Sequence, residues 1–358
     1  MSEKRSQSAA SSFVFKLLES FGNQGISFVV SLVLGRLLSP DDYGVLSLLL
    51  IFTALAQVFV QSGLNTALIQ RTEIDETDRS SVFFLGLGIA ALLYAALFAA
   101  APAIERYFRM AGLARYLRVL ALILFPGALT SVQNAVIARE MSFRKLMTAS
   151  LAATVLSGCV GVGMALRGLG VWALVGQQLT NQFSLCILLL VLVRWRPHFC
   201  FSLRRVKSLF SFGWKLLLSS LMDTGYQHLR SFVIGKKFSS EALGYFNRGK
   251  QFPELLMNAV NGSIQSVMLP VLSEQQDDLE RMKQTMRRSI MASSFLVLPL
   301  MAGLAAVARP LVSLLLTDKW LPCVPFLQIC CIDFAFYPIH TANLQAINAM
   351  GRSDVFLK

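Results

Sequence analysis

The stretch Gly35-Arg36-Leu37-Leu38-Ser39-Pro40-Asp41-Asp42-Tyr43-Gly44 returns 200 residues later as Gly235-Lys236-Lys237-Phe238-Ser239-Ser240-Glu241-Ala242-Leu243-Gly244. Glycine, base, serine, acid and glycine keep their order in both copies. Each copy lies between two apolar runs and reads as a tight interhelical turn at a membrane surface, where glycine supplies conformational freedom. The flanks keep the register. Phe13-Val14-Phe15-Lys16-Leu17-Leu18 matches Phe212-Gly213-Trp214-Lys215-Leu216-Leu217 at an offset of 199. Gln61-Ser62-Gly63-Leu64-Asn65-Thr66 matches Asn261-Gly262-Ser263-Ile264-Gln265-Ser266 at 200. The two amides in each copy stand four apart, which is one face of a helix. A helix–turn–helix repeated in the same direction predicts two equivalent bundles about a pseudo-twofold axis along the membrane normal.

The bulk composition places the duplication in a membrane. The 358 residues are 55% hydrophobic and only 15% charged, with a mean hydropathy of +0.58; a soluble domain carries about 25% charge. Apolar runs reach the roughly 20 residues needed to cross hydrocarbon, without the period-2 alternation of a barrel. Ten spans follow: 12–38, 43–69, 81–104, 117–138, 146–167, 171–193, 209–234, 248–272, 289–317 and 323–350. The class is all-α integral membrane. A tail (1–11) precedes a first lobe of six helices (12–193), a basic linker (194–208) and a second lobe with four helices (209–358).

The net charge of +13 does not indicate nucleic acid, because the bases sit in short loops between spans, where they set topology against anionic lipid. Lys and Arg are in excess on the side holding the N-terminus, which is therefore expected in the cytoplasm. Arg194-Trp195-Arg196-Pro197-His198 with Arg204, Arg205 and Lys207 makes a basic tether on that side. The stretch 105–118, with Arg106, Arg109, Arg115 and Arg118 around Tyr107, Phe108 and Tyr116, reads as an interfacial helix on the other. The six cysteines lack zinc or redox spacing and read as small core residues. Gly158, Gly161 and Gly163 read as close helix packing, and Pro126 and Pro270 as bends.

Polar residues within the spans are the candidates for function, because ionisable groups at bilayer depth are costly without a polar route. The first span carries Lys16, Glu19, Asn23 and Gln24, and the second Gln57, Gln61 and Asn65. The sixth has Gln177, Gln178, Asn181 and Gln182; the seventh has Lys215, Asp223, Tyr226, Gln227, His228 and Arg230. The eighth has Gln251, Glu254, Asn258, Asn261 and Gln265. Two readings stand for each. Amides either line a polar path or bond helices together. Lys16, Lys215 and Arg230 either face a cavity or snorkel to headgroups. Glu19, Asp223 and His228 either couple to an ion or serve local charge balance and hydrogen bonding.

A family resemblance rests on Gly35-Arg36-Leu37-Leu38-Ser39-Pro40 with Tyr43-Gly44, Gln61-Ser62-Gly63-Leu64, Ala138-Arg139-Glu140-Met141-Ser142-Phe143, and Ala242-Leu243-Gly244-Tyr245-Phe246-Asn247-Arg248. On these motifs the chain resembles the polysaccharide-biosynthesis (oligosaccharide) flippases of the multidrug/oligosaccharidyl-lipid/polysaccharide exporter superfamily, in their colanic-acid-exporter-like branch. The resemblance implies two six-helix bundles forming a V around a cavity that opens alternately to each side. It implies translocation of undecaprenyl-diphosphate-linked oligosaccharide across a bacterial inner membrane for exopolysaccharide, O-antigen or capsule synthesis, with polymerase or export machinery as possible partners. No bond is made, so no catalytic residue, cofactor or metal is required. Such a path needs bases for the diphosphate and amides for the sugars. The expected cavity residues are Lys16, Asn23, Gln24, Gln57, Gln61, Asn65, Lys215, Gln227, Arg230, Asn258, Asn261 and Gln265, with Glu19, Asp223 and His228 for ion coupling. The family has a dozen or more helices, so a sequence with ten is expected to be truncated at its C-terminus. Two rival readings are a cation-coupled drug or metabolite antiporter on the same fold, and an integral-membrane glycan polymerase, ligase or transferase. The first predicts aromatic and acidic cavity residues; the second predicts a sizeable outer loop or an acid–histidine cluster. No Walker motif is present for direct use of ATP.

Overall fold

The computed structural model describes residues 2–61, 68, 74–193, 195–273 and 278–349. All its regular elements are helical. In chain order they are α1 (Ser2–Leu37), α2 (Pro40–Gln61), α3 (Glu76–Phe108), α4 (Leu113–Leu120), α5 (Leu124–Glu140), α6 (Phe143–Leu166), α7 (Val171–Leu192) and α8 (Leu203–Lys237). Then come α9 (Ser240–Ser273), α10 (Leu279–Ala306), α11 (Ala308–Leu316), α12 (Val324–Ala335) and α13 (Tyr337–Ala349). Short 3₁₀ turns join α4 to α5 (Ala121–Ile123) and α11 to α12 (Asp318–Cys323). Among the described residues, seven helical segments are long and apolar enough to span a membrane. The helices α1, α8 and α9, of 36, 35 and 34 residues, are the long ones diluted by polar residues. At 1.5 Å per residue each is about 50 Å long, beyond the roughly 30 Å of a hydrocarbon core.

Compactness divides the chain into Met1–Gly244 and Tyr245–Lys358. The division falls inside α9, because α8 and the turn after it pack on α2 and α3. The sequence division at 194–208 follows duplication, which is a different criterion. In the first unit α6 pairs with α1 and α7, and α3 with α4 and α5. Small residues make the close approaches that van der Waals packing in lipid requires. A Cβ on Gly158 would lie 2.6 Å from Val30, and one on Gly161 3.0 Å from Gln177. Gly163 has nothing within 4 Å and plays no such part. Among the described residues, apolar clusters pack within the unit. One gathers Val82, Val132, Val136, Leu189 and Trp195, the other Ala56, Val60, Ala90 and Leu124.

The two repeated turns meet inside this unit. A Cβ on Gly44 would lie 1.7 Å from the carbonyl oxygen of Ser240, and one on Gly244 1.9 Å from that of Pro40. Gly44 corresponds to Gly244 and Pro40 to Ser240, so the contact is reciprocal. We call this the turn end, and the opposite end of α8 the linker end. Ser39 starts α2 with a reciprocal cap: Asp42 N–H donates to its hydroxyl (3.2 Å) while its own N–H donates to the Asp42 carboxylate (2.9 Å). Ser239 repeats half of this, accepting from Ala242 N–H at 3.1 Å.

Two local expectations are corrected. Residues 105–118 are not an interfacial helix but the end of α3, a tight turn and the start of α4. Arg109 and Gly112 take φ of 57° and 84°, and the Glu105 carboxylate accepts N–H bonds from Gly112 (3.1 Å) and Ala114 (2.8 Å). Leu113, Leu117 and Leu120 are then buried. The segment 289–317 is not one span, because α10 ends at Ala306 and α11 begins at Ala308. The segment 323–350 has a one-residue interruption at Phe336 between α12 and α13, yet Asp318–Ala346 remains a single candidate span among the described residues.

The second unit packs α10 against α12 and α13. Its buried centre is Trp320, with the edge-on Tyr245 ring at 6.1 Å and the Arg248 guanidinium 5.3 Å from its own ring centre. Arg248, only 4% exposed, also donates to Gln251 at 2.7 Å. Gly249 lets α9 approach the following turn, since a Cβ there would meet Leu327 N at 2.8 Å and Cys323 O at 2.9 Å.

Candidate functional site

Two polar side chains of α1 bond to α6. Asn23 Nδ2 donates to Ser150 Oγ at 2.9 Å, and Asn23 Oδ1 accepts from Thr154 Oγ1 at 2.8 Å. Ser150 Oγ also reaches the Glu19 carboxylate at 3.4 Å. The seam continues between α6 and α7, where Asn181 donates to Ser157 at 3.3 Å. These bonds satisfy amide and hydroxyl groups that lipid cannot satisfy. The partners Ser150, Thr154 and Ser157 fall four and three apart, a helical face that sequence reasoning passed over because hydroxyls are common in spans.

Gln57 of α2 bonds across the bundle, its Nε2 donating to Ile123 O at 3.1 Å in the 3₁₀ turn. Its amide lies over Gly127, where a Cβ would come within 2.6 Å. Gln182 of α7 donates to Thr130 Oγ1 of α5 at 3.3 Å. Gln24 is half-buried, and Gln61 stands exposed at the end of α2.

The second repeat arranges its polar groups differently. Lys215, Asp223, Gln227 and Arg230 are all exposed on α8. Their spacings of eight, four and three bring them to one side of a helix turning every 3.6 residues. Gln227 donates to Asp223 along the helix at 2.9 Å. Beside this polar face runs an exposed apolar one of Leu218, Met222, Tyr226, Leu229 and Val233. His228 is half-buried. Within the first unit, α8 therefore presents a row carrying two bases, an acid and an amide next to a lipid-compatible stripe.

Both ends of α8 are tied down. At the turn end Lys236 Nζ donates to Tyr107 O at 2.6 Å and sits 3.5 Å from the centre of the Tyr107 ring. Phe232 stacks on Tyr107 at 6.4 Å and meets Phe108 edge-on at 5.4 Å. At the linker end Arg205 pairs with Asp75 at 2.8 Å and with the buried Asp78 at 3.2 Å. Those hydrogen bonds, Asp75 first and Asp78 second, hold the guanidinium pKa above its usual value. The backbone of the linker is satisfied by the start of α3: His198 N–H donates to Ser80 Oγ (3.1 Å) and Ser202 N–H to Ser81 Oγ (3.0 Å). Trp195 Nε1 donates to Glu76 at 2.9 Å. The basic tether is thus pinned along α3.

In the second unit Asn258 is exposed on α9, whose Lys250 and Glu254 pair at 3.4 Å. Lys16, Asn261 and Gln265 sit within helices, but their side chains lie outside the described residues, as does Asn65 altogether. The amide pairing of Gln61 and Asn65 with Asn261 and Gln265 is therefore outside the description.

The helical architecture and the paired turns define a duplicated, multi-pass membrane protein. The chain belongs to the polysaccharide biosynthesis protein family, whose model matches residues 33–325. It is 26% identical over 341 residues to the succinoglycan biosynthesis transport protein ExoT of Rhizobium meliloti, spanning 95% of this chain and 69% of that one. It is 25% identical over 333 residues to the teichuronic acid biosynthesis protein TuaB of Bacillus subtilis (92% and 69%). The lipopolysaccharide biosynthesis protein WzxC of Escherichia coli matches at 25% over 338 residues (93% and 68%). Among solved structures, the lipid II flippase MurJ in an inward closed conformation superposes with a TM-score of 0.72 at 12% identity, covering 95% of this chain and 76% of that one. An inward-facing multidrug-resistance MATE transporter of the MOP superfamily superposes at 0.66 with 16% identity (92% and 82%). These likenesses give the chain the fold of that superfamily.

Proposed function

We propose that the protein is a flippase carrying undecaprenyl-diphosphate-linked oligosaccharide outward across the bacterial inner membrane, with its N-terminus in the cytoplasm. The observation that carries this reading is the exposed face of α8, where Lys215 and Arg230 flank Asp223 and Gln227. Bases on such a face match a diphosphate, and amides and carboxylates match sugar hydroxyls. The neighbouring apolar stripe suits the polyprenyl chain. The family match and the transport name of the relative ExoT support a polysaccharide precursor as cargo. The lobes 12–193 and 209–358, joined by 194–208, move against each other by alternating access, and the reaction moves cargo without making a bond. An inside-negative potential assists an outward-moving anion by about 2.3 kcal/mol per charge per 100 mV. In the same reading Lys16, Gln24, Gln61, Asn65, Asn258, Asn261 and Gln265 complete the polar path, Asn23 and Gln57 hold its walls, and Glu19, Asp223 and His228 carry any coupled ion.

The test replaces Lys16, Lys215 and Arg230 together by glutamine and measures delivery of a lipid-linked oligosaccharide to the far side of reconstituted vesicles. Delivery is expected to disappear while insertion and melting temperature stay normal. Normal delivery by the triple variant removes these three roles. A parallel assay with a cationic dye separates this reading from a drug antiporter, and release of pyrophosphate or growth of the glycan would mark a transferase.

A further inference from the structure

Near the linker end, α3 and the start of α8 leave a groove of about 600 Å³ between them, within the roughly 300–1,000 Å³ of ligand sites. Leu203, Val206 and Phe210 of α8, three and four residues apart, form one wall. Leu85 and Ile89 of α3, four apart, form the other. The sixth lining residue, Lys207, carries the one charge among them and is exposed. Leu203 is 73% exposed and Phe210 is exposed as well, so the groove opens outward. Its α3 wall belongs to a candidate membrane span of which little is buried. The linker continues this surface. Phe199 is fully exposed and stacks on Phe84 at 5.8 Å, with Phe201 exposed two residues on. The N–H bonds of His198 and Ser202 to Ser80 and Ser81 hold that stretch on α3. Acids at this end are engaged: Asp75 and Asp78 with Arg205, Glu76 with Arg79 and the Trp195 indole.

We propose that this groove is a binding site for an anionic phospholipid, with one acyl chain between α3 and α8 and the headgroup phosphate on Lys207, and that the bound lipid helps to fasten the linker end. The apolar walls admit a chain but do not select one, because every lipid tail is as apolar as leucine. Selection falls to the base. A basic pocket between membrane helices is the arrangement that holds an anionic headgroup. The exposed Phe199 and Phe201 rings, beside the exposed Arg196 and His198, mark the linker as a segment lying at headgroup depth, which puts Lys207 within reach of phosphate. The lining offers no amide or carboxylate for sugar hydroxyls, and one base for one phosphate charge. That chemistry fits a phosphodiester lipid rather than a glycan-bearing diphosphate. The polar face of α8 begins at Lys215, eight residues or roughly 12 Å further along the helix, so the lipid site is separate from the cargo face and stands whether or not the chain is a flippase.

The experiment places the full chain in phosphatidylcholine nanodiscs with and without phosphatidylglycerol. Native mass spectrometry counts the phosphatidylglycerol retained on the released protein, and thermal unfolding reads the stabilisation that binding to the folded state confers. The wild type is expected to retain phosphatidylglycerol in preference to phosphatidylcholine and to melt at a higher temperature with it. Lys207→Gln is expected to weaken retention about tenfold, the equivalent of roughly 1.4 kcal/mol, and to erase the melting gain, whereas Lys207→Arg keeps both. Leu203→Ser and Ile89→Trp alter the walls with the charge in place and are expected to lose retention too. Leu203 is exposed, so its variant reports even where the tryptophan disturbs packing. Equal retention of the two lipids by the wild type, or unchanged retention in Lys207→Gln, overturns the site. A melting gain from inorganic phosphate as large as that from phosphatidylglycerol overturns it as well, since a surface charge would then suffice. Displacement of phosphatidylglycerol by a polyprenyl phosphate would assign the groove to the cargo chain and overturn the phospholipid site.

Discussion

The helix pair α1–α2 and the helix pair α8–α9 began as one motif and now do different work. In the first, polar residues of the long helix bond across to a neighbour: Asn23 and Glu19 meet Ser150 and Thr154 on α6. In the second, Asp223 and Gln227 have the same spacing of four as Glu19 and Asn23, yet they bond each other along α8 and stay exposed. The same kind of side chain bonds across to a neighbouring helix that offers hydroxyls in one copy, and bonds along its own helix in the other. The start of the second helix differs too. Ser39 and Asp42 form a full reciprocal cap, whereas Ala242 leaves Ser239 with half of one. At the position matching the buried Leu48, the second copy has the buried Arg248, accommodated by Trp320 and Gln251.

The contrast is open to direct attack. The largest effect is expected from Asp223→Asn combined with Gln227→Leu, which should cut oligosaccharide delivery by about tenfold or more, as loss of about 1.4 kcal/mol of cargo interaction does, while the melting temperature holds. A fall in melting temperature with delivery intact would mean that α8 is structural like α1. Next comes Arg205→Ala, which removes the ion pair of Arg205 with the buried Asp78. The expected result is a lower melting temperature, read by thermal unfolding in detergent and softened by solvent screening because Arg205 is 40% exposed; Arg205→Lys should recover part of it.

Asn23→Leu should destabilise by about 1 kcal/mol, the usual worth of an interhelical bond in a membrane, and lower delivery only in proportion to folded protein. A delivery defect at full stability would place Asn23 on the cargo path instead. Ser39→Ala should cost more than Ser239→Ala, both within the roughly 0.5–2 kcal/mol of a lost cap, and equal melting shifts would show the two caps to be equivalent. The smallest effect belongs to Gly25→Ala. Nothing lies within 4 Å of its would-be Cβ, so helix propensity alone should stabilise α1 by up to about 1 kcal/mol.

Much of this molecule is legible in its residues. The offset of 200 between the glycine-flanked turns, together with apolar runs on either side, determines a duplicated helical membrane protein, because hydropathy and turn chemistry are local properties read along the chain. Local chemistry also marks Lys215, Asp223, Gln227 and Arg230 as polar candidates within one span. What it does not contain is the choice of neighbour. That Asn23 meets Ser150 and Thr154 while Gln227 meets Asp223 on its own helix depends on residues more than a hundred positions away, brought together by helix packing. The break at Val307 and the Glu105-capped turn before α4 depend on similar placement, since apolar composition alone does not distinguish a continuous helix from a folded one. The two glycines illustrate the boundary best. Sequence determines that each copy keeps Gly44 or Gly244 at the same place. Only the tertiary structure decides that the two face one another, because the constraint on each is a carbonyl oxygen 200 residues away rather than its own backbone angle.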